Sequence, residues 1–373
     1  MLKKCSKTML EKLLSSAKGE VVKKNKKRTV YKVDGFYIKH DHPKEWFHRI
    51  KSLFWPKSKK EFNSGLCLKE AGISTIPVIK WERKRFESYL ITKEISGAFL
   101  LKDLLSDFNI PPQDMNIFLT CFEQFLNSLV EKKVYHPDLH SGNILVKKEG
   151  KNYCFYLVDL YGIKIKKELS KKDLFRLFGW LVTVLWPLEE QRIQDFLVNS
   201  GFCSRKEVQK KWLELVRFRI SYIRSRCKKR RKKLFKDSSI CKSFYLPDMT
   251  VLIKDSGSEK RLCKFAIKSL SEKDALRCWE NSYFLPLFGI PVLSHFLLIK
   301  TKHTSFIAME IPERLTPLKS KNKAEVAFAI ERFNLWLSMA GIKAEISFDD
   351  IFVSENSIFP LVFSNPERFY LKL

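Results

Sequence analysis

The sequence predicts an α+β fold, a strand-rich region followed by a helical one, with a second strand-rich module behind it. Three observations carry this expectation. Residues 19–39, GEVVKKNKKRTVYKVDGFYIK, alternate apolar and polar positions around turn signals. Residues 117–132, IFLTCFEQFLNSLVEK, place apolar residues at helical spacing, and helical patterns run again from Ser170 to about Arg231. Near Phe244 a second strand-rich pattern begins, and it echoes the first.

In chain order, three short strands are expected near Glu20–Lys23, Thr29–Val33 and Phe36–Lys39, the last two joined by an Asp34-Gly35 turn. From Lys57 to Ala71 the pattern becomes helical, with Phe62, Leu66 and Lys69–Glu70 on recurring faces, and Gly72 ends the helix. Ile76–Trp81 and Tyr89–Ile95 read as strands. A hairpin follows the 117–132 helix: Asn143–Val146, a turn over Lys147–Lys151, then Tyr153–Asp159. The longest apolar run, Leu177–Leu188 (LFGWLVTVLWPL), is shorter than the roughly 20 residues a bilayer span requires and reads as a buried helix. The stretch 217–236 contains no acidic residue and closes a first domain, 1–236; a second is expected over 244–373.

Hydrophobic residues make up 45% of the 373, enough for a sizeable core and against wholesale disorder. The net charge of +29 implies an anionic partner: nucleic acid, phospholipid head groups or a phosphorylated glycolipid. The nine cysteines are scattered, with no C-x-x-C pair and no grouping with histidine, which fits a reducing cytosol and free thiols. The opening segment is charged and amphipathic without a long apolar core, so no signal peptide is expected, and the chain should be soluble or peripheral.

The stretch VYHPDLHSGNILV, residues 134–146, carries the chemistry. An aspartate on a loop can accept or orient a hydroxyl proton. An asparagine five positions later can ligate magnesium, and an aspartate at the end of the returning hairpin strand can ligate the same ion. Asp138, Asn143 and Asp159 stand at those places, the layout of eukaryotic-type kinases, where positioning and electrostatics perform phosphoryl transfer. Lys39, ending the strand FYIK, is placed to hold nucleotide phosphates, and Glu61, early in the next helix, to fix that lysine. Alone, each has a plainer reading: a solvated strand-end lysine, a helix-start carboxylate, a turn aspartate. The five together, in chain order, point to a kinase. His136 and His140 could be metal ligands, but His136 reads better as a support for the loop backbone, and His140 as the residue where protein kinases carry a lysine.

The strings GEVVKKNKKRTVYKVDGFYIKHD, KKEFNSGLCLKEAGISTIPVI, SYLITKEISG, YHPDLHSGNILV and FYLVDLYGIKI resemble the lipopolysaccharide core kinase family of the Kdo kinase/WaaP type, over residues 19–185. The resemblance implies a protein-kinase-like two-lobed fold, ATP with Mg2+, and a Kdo or heptose hydroxyl of the lipopolysaccharide inner core as acceptor. It places Lys39, Glu61, Asp138, Asn143 and Asp159 in the roles above and assigns the backbone of Lys93, Glu94 and Ile95 to the hinge that meets adenine. Two departures stand out. The first-strand loop has only Gly19 and no G-x-G-x-x-G, and DLYG replaces DFG, with Tyr161 where some relatives have histidine.

The second half reads as an eroded copy. RLCKFAIK (261–268) matches VDGFYIK, with Lys268 at the place of Lys39, and a helix with Glu280 follows. FGIPV, FIAMEI and GIKAEISFDDIFV then match successive pieces of the first copy, placing Glu345 at Asp138, Asp350 at Asn143 and Ser364 at Asp159. Such a module should support rather than catalyse. The anionic partners expected are a lipid A–core acceptor and, through 217–236, an anionic membrane surface at the inner face of the inner membrane; no nucleic acid is expected. A protein Ser/Thr or small-molecule kinase on the same fold, and a nonenzymatic basic binder, are the other readings.

Overall fold

The computed structural model describes residues 20–25, 27–106, 110, 112–254, 265–293, 295–310, 315–317, 323–346, 351–354, 361–363 and 365–371. The chain divides into two compact units. The first comprises 1–104, 113–177 and 196–202, the second 105–112, 178–195 and 203–373. This division differs from a break at 236–244. The residues after 177, read from sequence as the end of the first domain, belong largely to the second unit.

The first unit opens with strands β1 (Glu20–Lys24), β2 (Arg28–Val33) and β3 (Phe36–Asp41). The β2–β3 turn is the expected Asp34-Gly35 pair, with φ of 48° and 76°, the primed geometry that suits the twist of a hairpin. Helix α1 (Trp46–Phe54) comes next, then α2 (Lys57–Glu70), β4 (Val78–Lys84) and β5 (Glu87–Lys93). The sheet order is β1-β2-β3-β5-β4, antiparallel throughout, so β3 with Lys39 lies at its centre. Gly65 is where α2 comes closest to the sheet. A Cβ there would stand 2.7 Å from Val78, so only glycine lets the helix lie this low.

The helical part begins with β6 (Phe99–Leu100) and α3 (Leu101–Ser106), then α4 (Met115–Glu131), whose apolar face buries Phe118, Phe122, Phe125, Leu126 and Leu129. Phe155 packs against Phe118, Phe122 and Phe125 with ring centroids 4.9–5.6 Å apart. Strands β7 (Val134–Tyr135), β8 (Ile144–Glu149), β9 (Asn152–Leu157) and β10 (Lys164–Ile165) follow. They form a β6-β8-β9 sheet and a β10-β7 pair. Thr75 bridges in parallel to Leu157, which ties the end of β9 to the segment after α2.

Helix α5 (Lys171–Phe178) ends at the apolar run expected to be one buried helix. The run is buried, but it is broken into a 3-10 turn at Gly179–Leu181 and the short α6 (Val182–Leu185). Gly179 packs against the Phe218 ring, which a Cβ would approach to 3.2 Å, and Pro187 blocks continuation. Helix α7 (Glu190–Asn199) precedes α8 (Val208–Arg231), which buries Trp212, Leu215, Val216, Ile220, Ile223 and Cys227 along one side.

The second unit continues with β11 (Cys241–Leu246), β12 (Met249–Lys254), β13 (Phe265–Leu270), α9 (Glu272–Phe284), β14 (His295–Thr301), β15 (Ser305–Glu310), β16 (Leu315–Pro317), α10 (Lys323–Ala340), β17 (Ile342–Ala344), β18 (Ile351–Ser354), β19 (Leu361–Phe363) and β20 (Phe369–Leu371). Its smaller sheets reproduce those of the first unit: β16-β18-β19 answers β6-β8-β9, β17-β20 answers β7-β10, and the parallel bridge Val292–Phe363 answers Thr75–Leu157. The five-stranded sheet does not reproduce the first. Its order is β11-β12-β14-β15-β13, so the strand carrying Lys268 has moved from the centre to the outermost place. The unit's core stacks Trp186 on Trp336 at 5.6 Å and Phe333 on Phe363 at 4.5 Å.

Candidate active site

Lys39 and Glu61 meet. The lysine Nζ lies 2.8 Å from Glu61 Oε2, and the carboxylate is fully buried. Sheet register explains half of this, since Lys39 stands opposite Leu90 at the centre of the sheet. Gly65, one turn beyond Glu61, supplies the other half by letting α2 settle against β4. Burial alone would raise the Glu61 carboxyl, but Lys39 and Arg28 outweigh it, and the group sits below its ordinary value.

Arg28 is the residue that sequence reasoning missed. Its Nη2 lies 2.7 Å from Glu61 Oε1, and its guanidinium also grips Asp41 at 2.6 and 2.9 Å. Asp41 in turn accepts from Ser58 Oγ at 2.8 Å, so the start of α2 is pinned to the β2–β3 hairpin. Burial pulls the Arg28 pKa down, but the Asp41 hydrogen bond and the two carboxylates raise it above the usual arginine value. The signal was available in the hairpin: Arg28 and Asp41 are paired across β2–β3. Two cations on one buried carboxylate make a stiff anchor.

The loop 136–143 is held from within. The Asp138 backbone N–H donates to His136 Nδ1 at 3.2 Å, and Asn143 Nδ2 donates to the Asp138 carbonyl at 2.8 Å. His136 thus supports the loop backbone, as expected. Burial pushes its pKa down to about 4, so the ring is neutral. His140 takes the Gly142 N–H on Nδ1 at 3.0 Å and sets its Nε2 3.7 Å from the Asp138 carboxylate. With its backbone fixed, the Asp138 side chain stands 75% exposed beside His140.

Asp159 lies next to this loop. Ile144 pairs with Leu157 across β8–β9, and Val158 N donates to the Asn143 carbonyl at 3.0 Å, which brings Asn143 and Asp159 side by side. Asp159 adopts φ of 53°, a conformation that non-glycine residues rarely take, and its Oδ1 is buried without a hydrogen-bond partner. Gly162, three residues on, has φ of 82° and sits where a Cβ would come 3.3 Å from Pro137, so DLYG and HPD abut. Among the described residues no cluster of three or more His, Cys, Asp or Glu side chains is arranged to hold a metal. An orphaned carboxylate oxygen beside an asparagine nonetheless fits Mg2+, which keeps several waters and phosphate oxygens and asks few ligands of the protein.

The hinge expectation narrows. The Lys93 N–H is already bonded to the Pro77 carbonyl at 2.9 Å and the Glu94 N–H to the Gly35 carbonyl at 2.8 Å, while the Ile95 carbonyl accepts from Ala98 N at 3.1 Å. Those three groups are committed to the fold, so an adenine would have to use the remaining backbone groups. In the β1–β2 turn, Asn25 Oδ1 accepts from the N–H groups of Lys27 and Arg28, at 2.9 and 2.8 Å, in place of a glycine-rich turn.

Of the basic segment, Arg224 donates to the Ala340 carbonyl, Arg230 to the Tyr283 hydroxyl and Arg231 to Glu280. These three cations hold the second unit together. Lys228, Lys229, Lys232 and Lys233 remain exposed.

The second unit's counterparts are altered. Glu280 bonds Arg231, not Lys268. Counting back from Gly289 as Glu61 is counted from Gly72, the residue at the carboxylate's place is Cys278, a buried thiol whose pKa is pushed up by burial. Lys268 turns instead to Asn365, at 2.8 Å, and to Glu367. Ile351 pairs with Phe363 as Ile144 pairs with Leu157, so Asn365, rather than Ser364, takes the place of Asp159. Glu345 is exposed and accepts from the Tyr370 hydroxyl at 3.1 Å. Asp350 and Ser364 lie outside the described residues.

The model of the ABC1 atypical kinase-like domain matches residues 59–185, a span that holds Glu61, Asp138, Asn143 and Asp159 but begins after Lys39. No curated protein matches the chain. Among solved structures, WbdD in complex with a kinase inhibitor is 15% identical over 52% of this chain and 44% of its own, with a TM-score of 0.36. The bifunctional kinase-methyltransferase WbdD is 14% identical over 51% and 43%, with a TM-score of 0.37. The chain thus covers less than half the length of those structures. The antiparallel sheet with its central lysine, the helix that pairs it and the matched span together make the first unit protein-kinase-like.

Proposed function

We propose that the first unit is an ATP- and Mg2+-dependent phosphotransferase acting on a sugar hydroxyl, Kdo or heptose, of the lipopolysaccharide inner core. The observation that carries the reading is the buried Lys39–Glu61 ion pair at 2.8 Å, drawn together from a central strand and a separate helix. In kinases such a pair holds the nucleotide phosphates in place for transfer. Asp138 would orient the acceptor and receive its proton. The hydroxyl oxygen attacks the γ-phosphorus, the bond from that phosphorus to the bridging oxygen of ADP breaks, and the hydroxyl proton passes to the Asp138 carboxylate. Asn143 and Asp159 would hold Mg2+, which neutralises charge on the phosphates when bound.

Two features favour a sugar over a peptide. Between Asp159 and α5 at Lys171 lie only a turn and the two-residue β10, which leaves no segment for a peptide platform. The charge of +29 suits an acceptor rich in carboxylates and phosphates and a place at the inner face of the inner membrane. A protein or small-molecule kinase on the same fold is the competing reading. The deciding experiment incubates the full chain with labelled ATP, Mg2+ and Kdo-lipid A or heptosylated core, alongside generic proteins. Label on the glycolipid is expected. Label on proteins alone overturns the acceptor, and no label with no thermal stabilisation by ATP and Mg2+ overturns phosphotransfer.

A further inference from the structure

Helix α1 carries an apolar stripe that the rest of its unit leaves uncovered. Trp46, Phe47, Ile50 and Phe54 share one side at helical spacing and are 72, 63, 45 and 69% exposed, and Trp55 follows at 60%. Its other side is the one fastened to the protein. Ser52 Oγ donates to the Phe86 carbonyl at 2.8 Å, Arg83 Nη1 donates to the Leu53 carbonyl at 2.7 Å, and Arg49 Nε donates to the Pro43 carbonyl at 3.1 Å. A helix held through Ser52 and the Leu53 carbonyl while these four rings and Ile50 stay uncovered presents an apolar stripe to its surroundings.

We propose that α1 is a membrane-interface helix, whose apolar stripe inserts at the headgroup–acyl boundary of an anionic bilayer. Charge selects the occupant. Residues 46–60, WFHRIKSLFWPKSKK, contain Arg49, Lys51, Lys57, Lys59 and Lys60 and no acidic residue. Tryptophan and phenylalanine on one side with lysine and arginine around them is the make-up of helices that lie in the interface plane. A protein partner would also favour the rings, but protein interfaces are depleted in lysine, and four of these five cations are lysines. Among the described residues no helix is long and apolar enough to cross a membrane, so attachment along a helix face is the mode left to this element. This anchor is separate from the electrostatic attachment expected of Lys228, Lys229, Lys232 and Lys233, and it does not depend on the phosphotransfer reading.

The test uses the full chain and vesicles of phosphatidylcholine with a minority of phosphatidylglycerol, brominated on the acyl chain. Tryptophan fluorescence of the wild type should be quenched, and most of that quenching should disappear in Trp46→Ala/Trp55→Ala. In about 1 M salt, where the screening length is about 3 Å, Phe47→Ser/Phe54→Ser should bind these vesicles at least about tenfold more weakly than the wild type. Thermal unfolding of both variants should match the wild type, since the rings removed are solvent-exposed. Quenching no greater in the wild type than in Trp46→Ala/Trp55→Ala overturns the proposal. So does binding that salt abolishes equally in wild type and Phe47→Ser/Phe54→Ser, which would leave attachment to cations only. A concentration-dependent dimer lost in Phe47→Ser/Phe54→Ser, with no vesicle binding, would assign the face to a second copy of the chain.

Discussion

The two units hold corresponding lysines differently. In the first, Lys39 sits at the centre of the sheet against a fully buried carboxylate that Arg28 also holds. In the second, Lys268 lies on the outermost strand, its carboxylate partner on the helix replaced by Cys278, and it closes on Asn365 and Glu367. The small sheets and the parallel bridge survived in the second unit while the large sheet changed its order. The lesson is that one arrangement of small sheets can frame two different lysine contacts, because apolar packing needs only volume and pattern, whereas an ion pair needs particular side chains at particular places.

The sharpest way to break this comparison is to remove each lysine. Lys39→Ala should lower phosphotransfer by roughly 10²–10⁴-fold, the range for a lost positioning or proton-transfer group, and Asp138→Ala should do the same with melting unchanged. Lys268→Ala and Glu345→Ala should leave turnover near wild type. Steady-state rates of the four variants check this, and a collapse of turnover in folded Glu345→Ala would make the second unit catalytic.

Next in size is the carboxylate. Glu61→Ala leaves Lys39 and Arg28 without their shared buried partner and should cost about 3–5 kcal/mol. Glu367→Ala should cost less, because Lys268 is 32% exposed where Lys39 is 14%. Urea melts of the two variants rank them.

A smaller difference is expected at the glycines that end α2 and follow α9. Gly72 and Gly289 have nearly equal φ, 73° and 74°, but nothing lies within 4 Å of a Cβ at Gly72, whereas at Gly289 it would fall 2.2 Å from the Thr183 carbonyl. Gly72→Ala should therefore cost about 1–2 kcal/mol, from the left-handed conformation alone. Gly289→Ala should cost more by the amount needed to move that backbone, which thermal melts can separate.

An effect of about the size expected at Gly72, but visible only on acidification, is shared by both units. Burial holds His136 and His295 down to about 4 in the folded chain. A depressed pKa leaves its stability intact above the unfolded value near 6.5 and loses it as pH falls toward 4, since the unfolded state takes the proton first. Each histidine should contribute about 2 kcal/mol of loss by pH 5. Flattening of the stability–pH slope in His136→Gln and His295→Gln checks each unit separately.

Much of this was legible in sequence because the information was local. Asp138 and Asn143 are fixed by spacing within one loop, and Lys39 by strand alternation. The Arg28–Asp41 pairing was legible in the hairpin, but the reach of Arg28 to Glu61 was not, because it depends on a long side chain meeting a separate helix. Helix α1 was passed over because an apolar stripe at helical spacing is read as core, and sequence does not say which side faces water. The exchanged strands of the second sheet were hidden for a related reason: either order satisfies the same alternation. The place of Asp159 fell to Asn365 because strand register, not string similarity, sets it.

The exchange that moved Lys268 outward also has a consequence for how the second unit meets its own copies. The edge strand of a sheet presents unpaired N–H and C=O groups to any passing chain, and proteins blunt such edges with charge. The β4 edge of the first sheet, VIKWERK, spreads four charges along its length; β13, FAIKSL, carries Lys268 alone, and its Ile267 is 64% exposed. That lysine is turned toward Asn365 and Glu367, so the one charge on this edge is largely occupied. Destabilised or truncated forms of the second unit should therefore polymerise through β13 first, and a second charge at Ile267 should suppress the light scattering that reports it.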